Sequence, residues 1–140
     1  MYISVFSDEM GLDFKEALPI YASWGMKHVD FRALINGKGI HLQTNEELKE
    51  IKAMLDEYGM KAAVLQSSLC KVHLPDEERV KAEMKKLEGL IRAAEALDCN
   101  MVRSFNFWQH KEGEPGLGVC PQFSIPKISP ASRALFTKGS

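Results

Sequence analysis

Residues 27–65 read KHVDFRALINGKGIHLQTNEELKEIKAMLDEYGMKAAVL, and this stretch decides the fold. Lys27 to Phe31 is a short β-rich run that closes on Asp30 and Arg32. A loop with Gly37 and Gly39 follows. Thr44 then caps a helix, and Glu47, three residues on, completes a capping box. Leu48, Ile51, Leu55 and Tyr58 recur at helical steps and form its buried stripe, and Gly59 ends it. Lys61 to Leu65 is a second strand that runs into Gln66, Ser67 and Ser68. Strands separated by a helix of this length pair in parallel.

Outward from this stretch the same unit repeats. Tyr2 to Phe6 is a strand ending in Ser7-Asp8-Glu9. Asp13, with Glu16 three residues on, opens a helix whose apolar face is Phe14, Ala17, Leu18, Tyr21 and Ala22, and Gly25 stops it. Pro19 inside this helix is expected to kink or shorten it. On the other side, Pro75 and the acids Asp76 to Glu78 open a third helix. Its expected buried stripe is Val80, Met84, Leu87, Ile91 and Ala94. Asn100 to Ser104 is the fourth strand.

Then the pattern stops. Residues 115–140 contain none of the 19 acidic residues and four of the six prolines. Prolines at this spacing prevent a long helix, so an irregular, poorly ordered Pro/Ser/Gly-rich tail is expected. Two segments result: an α/β segment at 1–114 and a tail at 115–140. About four βα units read as half of an eight-unit (β/α)8 barrel. The side chains that do chemistry in such a barrel are spread around its whole rim, so half a rim is expected to be inactive as a lone chain. The abrupt change of composition resembles out-of-frame coding after about Gly116.

The composition, 45% hydrophobic and 26% charged, is that of an ordinary globular protein. Net charge is −1 and no arginine cluster is interleaved with aromatics, so nucleic acid is not an expected partner. No apolar run approaches the length needed to cross a bilayer, and the start lacks the basic and apolar regions of a signal peptide. Neither membrane nor export is expected, and the expected location is cytoplasmic. Cys70, Cys99 and Cys120 show no paired spacing and read as reduced thiols.

In parallel βα folds functional groups gather at the carboxyl ends of the strands. Here those ends supply Glu9; Asp30 and Arg32; Ser67; and Arg103, Phe105 and Trp108. Two guanidinium groups on one rim suit a phosphate or a carboxylate, or can orient substrate hydroxyls. Glu9 and Asp30 are candidates for general acid–base work. Phe105 and Trp108 suit the apolar wall of a sugar pocket. His73, in the segment after the third strand, is the best placed histidine for a rim role, whereas His28 lies within a strand and is expected to pack between helix and sheet. No metal ligand set, Gly-rich phosphate loop or nucleophile elbow can be assembled from the residue spacing.

The ordered series Ile3-Ser4-Val5-Phe6-Ser7-Asp8-Glu9, His28-Val29-Asp30-Phe31-Arg32, Thr44-Asn45-Glu46-Glu47-Leu48 and Met101-Val102-Arg103-Ser104-Phe105 resembles the sugar phosphate isomerase/epimerase family, the xylose isomerase-like TIM barrels. The resemblance covers residues 1–114 and so the N-terminal half of such a barrel. It implies proton transfer next to a carbonyl in a small sugar or sugar phosphate, aided by a divalent metal such as Mn, Mg, Co or Zn. The family's metal ligands belong to later strands, so the resemblance implies no metal ligand in this chain and no metal held by it alone. What it carries over is Glu9, Asp30, Arg32 and Arg103, read as substrate-side groups. The alternative is a non-catalytic half-barrel that self-associates as a homodimer or completes a barrel with a complementing half.

Overall fold

The computed structural model describes residues 1–32, 34–72 and 77–105. In chain order these form β1 (Ser4–Phe6), α1 (Phe14–Ser23), β2 (His28–Phe31), β3 (Leu34–Ile35), β4 (Lys38–Gly39), a 3₁₀ turn (Ile40–Leu42), α2 (Asn45–Glu57), β5 (Lys61–Leu69), α3 (Glu77–Ala96) and β6 (Val102–Ser104). The expected Pro75 and Asp76 helix start, His73, Trp108 and the whole 115–140 tail lie outside the described residues.

The strands β1, β2, β5 and β6 hydrogen-bond in that order, every pair parallel. Right-handed crossovers between successive neighbours put α1, α2 and α3 on the same face of the sheet. Between helices and sheet lies one core. Leu18, Tyr21, Val29, Leu48, Ile51, Leu55, Leu65, Leu90 and Ala93 are fully buried there, and Phe14 meets Phe31 with ring centroids 5.2 Å apart. Among the described residues the sheet does not close into a barrel, and it keeps two free edges, on β1 and on β6. No helix among these residues is long and apolar enough to cross a membrane.

The second capping box forms in full. Thr44 Oγ1 accepts from the Glu47 N–H at 3.2 Å, and the Glu47 carboxylate accepts from the Thr44 N–H at 2.7 Å. Lys38 Nζ donates to the same carboxylate at 2.5 Å. That bond, and then the Thr44 N–H, hold the Glu47 carboxyl below the usual carboxylate range. The first box does not form: Asp13 occupies the N-cap position, but its side chain makes no capping bond and the turn closes on its backbone carbonyl. Helix α1 also continues through Pro19 rather than ending there.

Three further differences from the sequence reading have local causes. The loop after β2 is a hairpin, β3–β4, because Asn36 (φ 51°) and Gly37 (φ 76°) both take the left-handed conformation of a two-residue type I′ turn. Gln43, fully buried, pins this hairpin by donating Nε2 to the Ile35 carbonyl at 2.8 Å and the Lys38 carbonyl at 3.2 Å. Strand β5 runs four residues past its expected end at Leu65, to Leu69. Ser67 makes this affordable: its hydroxyl donates to the Arg103 carbonyl at 2.5 Å and accepts from the Leu69 N–H at 3.1 Å, so a polar residue is satisfied inside the sheet.

Helix α3 is the third case. It buries Glu83, Gly89, Leu90 and Ala93, keeps Val80, Met84, Leu87 and Ala94 of the expected stripe half-buried with Leu87 and Ala94 against the core, and leaves only Ile91 of that stripe exposed, so its inward face is rotated by a fraction of a turn from the expected one. The reason sits at Gly89. A Cβ there would lie 2.2 Å from the His41 carbonyl oxygen, so the 3₁₀ turn seats on α3 only where the helix has no side chain. Arg92 clamps the contact, its Nη2 donating to the Gln43 carbonyl at 3.0 Å.

Candidate functional site

At the carboxyl ends of the strands, residue parity decides which side chains share a face. Val29 and Phe31 point into the helix-covered core, so Asp30 between them faces the opposite side of the sheet. Register aligns Phe6, Asp30 and Val64 across β1, β2 and β5. Two residues beyond Val64, Gln66 donates its Nε2 to Asp30 Oδ2 at 3.0 Å. Asp30 is 8% exposed, and its other oxygen, Oδ1, is buried with no hydrogen-bond partner among the described residues. A buried carboxylate oxygen without a donor is costly unless something else supplies one.

Just past the end of the same strand, Arg32 reaches over to Phe6 on β1, its guanidinium carbon 3.9 Å from the ring centroid. Its Nε donates to Asp8 Oδ1 at 3.1 Å and its Nη2 to Glu9 Oε2 at 3.4 Å. The backbone holds this group together as well: the Ser7 N–H donates to the Asp30 carbonyl at 2.9 Å, and the Arg32 N–H donates to Ser7 Oγ at 3.3 Å. Arg32, Asp8 and Glu9 keep 41%, 32% and 56% of their side-chain surface exposed. Ion pairs this open stabilise by at most about 1 kcal/mol, so the arrangement matters for where it holds charge more than for stability.

The β5–β6 side carries the second group. Arg103 Nε donates to the Ser67 carbonyl at 3.3 Å, and its guanidinium stands 4.8 Å from the Phe105 ring centroid. Lys71 approaches the same ring at 5.5 Å. The Phe105 N–H donates to the Leu69 carbonyl at 2.9 Å, which fixes the ring just past the strand end. The loop before it is anchored from α3: Glu83 Oε2 accepts the Cys70 N–H at 2.7 Å while Lys86 Nζ sits 2.6 Å from Oε1.

Of the residues expected at the rim, Glu9 and Arg32 meet directly, Asp30 sits on the next pair of strands with Gln66, and Ser67, Arg103 and Phe105 form the other group. Glu9 and Asp30 share no contact. Asp8 and Gln66, which the sequence places in the strand-end clusters without a role, join the candidate site, and so do Phe6 and Lys71, which it did not point to. The signal that finds Phe6 and Gln66 is their parity with Asp30 along neighbouring strands. His28 departs from its expected packing role: it stacks on Tyr2 at 4.2 Å, at the opposite end of the strands. A cavity of about 300 Å³ opens there, lined by residues including Tyr2, His28, Lys52, Asp56 and Lys61. Barrel chemistry sits at the other end, so this cavity is not taken as the site.

Among the described residues no three His, Cys, Asp or Glu side chains converge on a point that could hold a metal ion. Cys70 and Cys99 are free thiols. Burial pushes both up, helped at Cys70 by the Glu83 charge, so neither is poised as a nucleophile.

No family model and no curated protein matches the chain. The crystal structure of a D-psicose 3-epimerase in the presence of D-fructose is similar in fold, with a TM-score of 0.61 and 14% sequence identity over 83% of this chain and 42% of that one. The chain thus spans less than half the length of that enzyme, and what the two share is the α/β architecture whose strand ends carry the groups above.

Proposed function

We propose that the strand-end rim is the substrate side of an isomerase or epimerase site for a small sugar or sugar phosphate. The observation that carries the reading is the orphaned Oδ1 of buried Asp30, flanked on the same rim by two arginines, in an epimerase-like fold. A polyhydroxy substrate supplies the missing donor to Asp30. Arg32 and Arg103 take phosphate or hydroxyl oxygens in fork geometry. Phe105 offers a ring face to the sugar's C–H surface, and Ser67 holds Arg103 in place through the paired strand. Moving a proton next to a carbonyl needs a carboxylate to accept it and an acid to return it, and Glu9 and Asp30 are the two carboxyl groups assigned to that exchange. His73 and Trp108 are assigned to substrate binding from their sequence positions.

The divalent metal that this chemistry implies, Mn, Mg, Co or Zn, does not fit the described residues, so no step is routed through it here. It falls to parts of a barrel beyond them, and turnover by this chain alone is not expected.

Binding is therefore the test. The full chain is titrated with D-fructose and with D-fructose 6-phosphate while amide and side-chain NMR shifts are followed. Shifts at Asp30, Arg32, Arg103 and Phe105, lost in Arg103→Ala, support the reading. A rim that stays silent to both ligands up to high millimolar concentration overturns it.

A further inference from the structure

Two positive groups beside the ends of β5 and β6 differ from their neighbours at this end of the sheet. Arg32 reaches Asp8 and Glu9, Lys38 reaches Glu47, and Lys86 reaches Glu83, each at 3.4 Å or less. Lys71 and Arg103 pair with no carboxylate among the described residues. Both nevertheless approach the same Phe105 ring, at 5.5 and 4.8 Å from its centroid, within the reach of a cation–π contact. Like charges drawn to one ring repel each other, and no described acid neutralises them.

Both groups are also held in place. Arg103 donates its Nε to the Ser67 carbonyl at 3.3 Å, which leaves its two Nη nitrogens as a fork without a hydrogen-bond partner among the described residues. Lys71 closes a tight turn, its N–H donating to the Ser68 carbonyl at 3.1 Å. Cys70, at the third position of that turn, has the positive φ, 62°, that reverses the chain. Glu83 fixes the turn from α3. It is 8% exposed, its Oε2 accepts the Cys70 N–H at 2.7 Å, and Lys86 Nζ balances its charge 2.6 Å from Oε1. A buried carboxylate in the middle of a helix is costly to desolvate, and the proposed sugar site does not otherwise use it. The two sides of the rim therefore differ in charge. Around β1 and β2, the carboxyl groups of Asp8, Glu9 and Asp30 outnumber the Arg32 guanidinium, whereas Lys71 and Arg103 make the β5–β6 side positive.

We propose that Lys71 and Arg103, flanking Phe105, form a subsite for the phosphate of a monoester, with Glu83 as the residue that positions Lys71. A phosphate monoester near neutral pH carries about two negative charges and three acceptor oxygens. That charge matches two cations, and its oxygens suit the free fork of Arg103. A carboxylate, with a single charge, leaves one of the two cations unmatched. The subsite rests on the assignment of the rim to a sugar, and it gives that sugar a direction. Its phosphate end lies over β5 and β6, and its hydroxyl end turns toward Asp30. Arg32, already held by two acids, is left to hydroxyl oxygens.

Inorganic phosphate alone tests the subsite, because it binds or fails to bind whether or not the rim accepts a sugar. The full chain is titrated with sodium phosphate at neutral pH, with sodium chloride keeping the ionic strength constant, while amide and arginine Nε–H shifts are followed. Saturable shifts at Lys71, Arg103 and Phe105 are expected, with Arg32 unmoved. Lys71→Met and Arg103→Met are each expected to weaken phosphate binding about fivefold or more at unchanged circular dichroism. Glu83→Ala is expected to weaken it through the loosened turn, and Glu83→Gln, which keeps an acceptor for the Cys70 N–H, to restore it. Should Glu83→Ala lose its fold, Lys71→Met and Arg103→Met decide. Shifts spread evenly over surface lysines, an affinity indifferent to Lys71→Met, or one indifferent to Glu83→Ala in a folded variant each overturn the proposal. Phosphate binding here, with Asp30 silent to D-fructose and D-fructose 6-phosphate, upholds the subsite and overturns the sugar assignment instead.

Discussion

The middle of the sheet and its edges are built by different rules. On β2 and β5, Val29 and Leu65 are fully buried and Phe31 nearly so, and the helices pack against them. On β6 every residue is exposed, and on β1 every residue is only half-buried. Burial, and with it stability, is concentrated on two strands, whereas the charged groups of the candidate site hang from all four. The fold is held from its centre while its chemistry is placed toward its margins. A half-rim of this kind keeps its shape without any substrate, because none of its open ion pairs is needed to hold the core together.

The sharpest way to break this comparison is to shorten one side chain in each region. Leu65→Ala on β5 is expected to cost about 3 kcal/mol, the usual price of a cavity in a closed core. Val102→Ala on β6 is expected to change stability by less than about 0.5 kcal/mol, as at an exposed position. Urea unfolding followed by circular dichroism measures both, and equal losses would dissolve the distinction between centre and edge.

A smaller effect sharpens it at the junction between the regions. Cys70, the residue after β5, has φ 62°, a left-handed conformation that a side chain disfavours by roughly 1–2 kcal/mol. Cys70→Gly removes that strain and adds unfolded-chain entropy, for a net gain of about 0.5 kcal/mol. Its N–H bond to Glu83 is backbone-donated and survives. A rise in the urea midpoint at unchanged slope is the expected readout.

The smallest effect is a pH dependence. Burial, and then the positive charge of Lys86, hold the His41 imidazole below its ordinary value of 6.5. The unfolded chain then binds the proton more readily than the folded one, so stability falls as pH drops through about 6.5 toward the lowered value. The loss is expected to be small and to vanish in His41→Gln, measured as thermal midpoints between pH 7.5 and 5. An unchanged slope in the variant assigns the dependence to another group.

These contrasts track what the sequence could and could not convey. The capping box of Thr44 and Glu47 and the stop at Gly59 were legible because both partners lie within one helical turn of each other. Asp13 and Glu16 carry the same signature, yet the box does not form, since a motif states what a turn can do and the surrounding chain decides whether it does. The Asn36-Gly37 hairpin was readable from its dipeptide and was passed over as a plain loop. The inward face of α3 was readable in Leu87 and Ala94, which pack on the core, but its centring on Gly89, Leu90 and Ala93 was not. It depends on the carbonyl of His41, 48 residues before Gly89 in the chain, finding the one gap in the helix surface. At the site, strand ends named Glu9, Asp30, Arg32, Ser67, Arg103 and Phe105 as a group. Which acid Arg32 takes, and that Asp30 keeps an oxygen free, are facts of three-dimensional placement.

The seat of His41 on Gly89 also bears on the order in which the chain assembles. The bonds from Arg92 to the His41 and Gln43 carbonyls span 51 and 49 residues. Bringing such distant segments together carries a large loop-closure entropy, and nothing local rewards it until α3 is already formed and β5 has brought it alongside. The hairpin after β2 is held locally by Gln43 and by the Lys38–Glu47 bond to α2, and across the fold by α3. The second and third βα units are therefore tied through a contact of long sequence separation, and the absent side chain at position 89 is what leaves room for it.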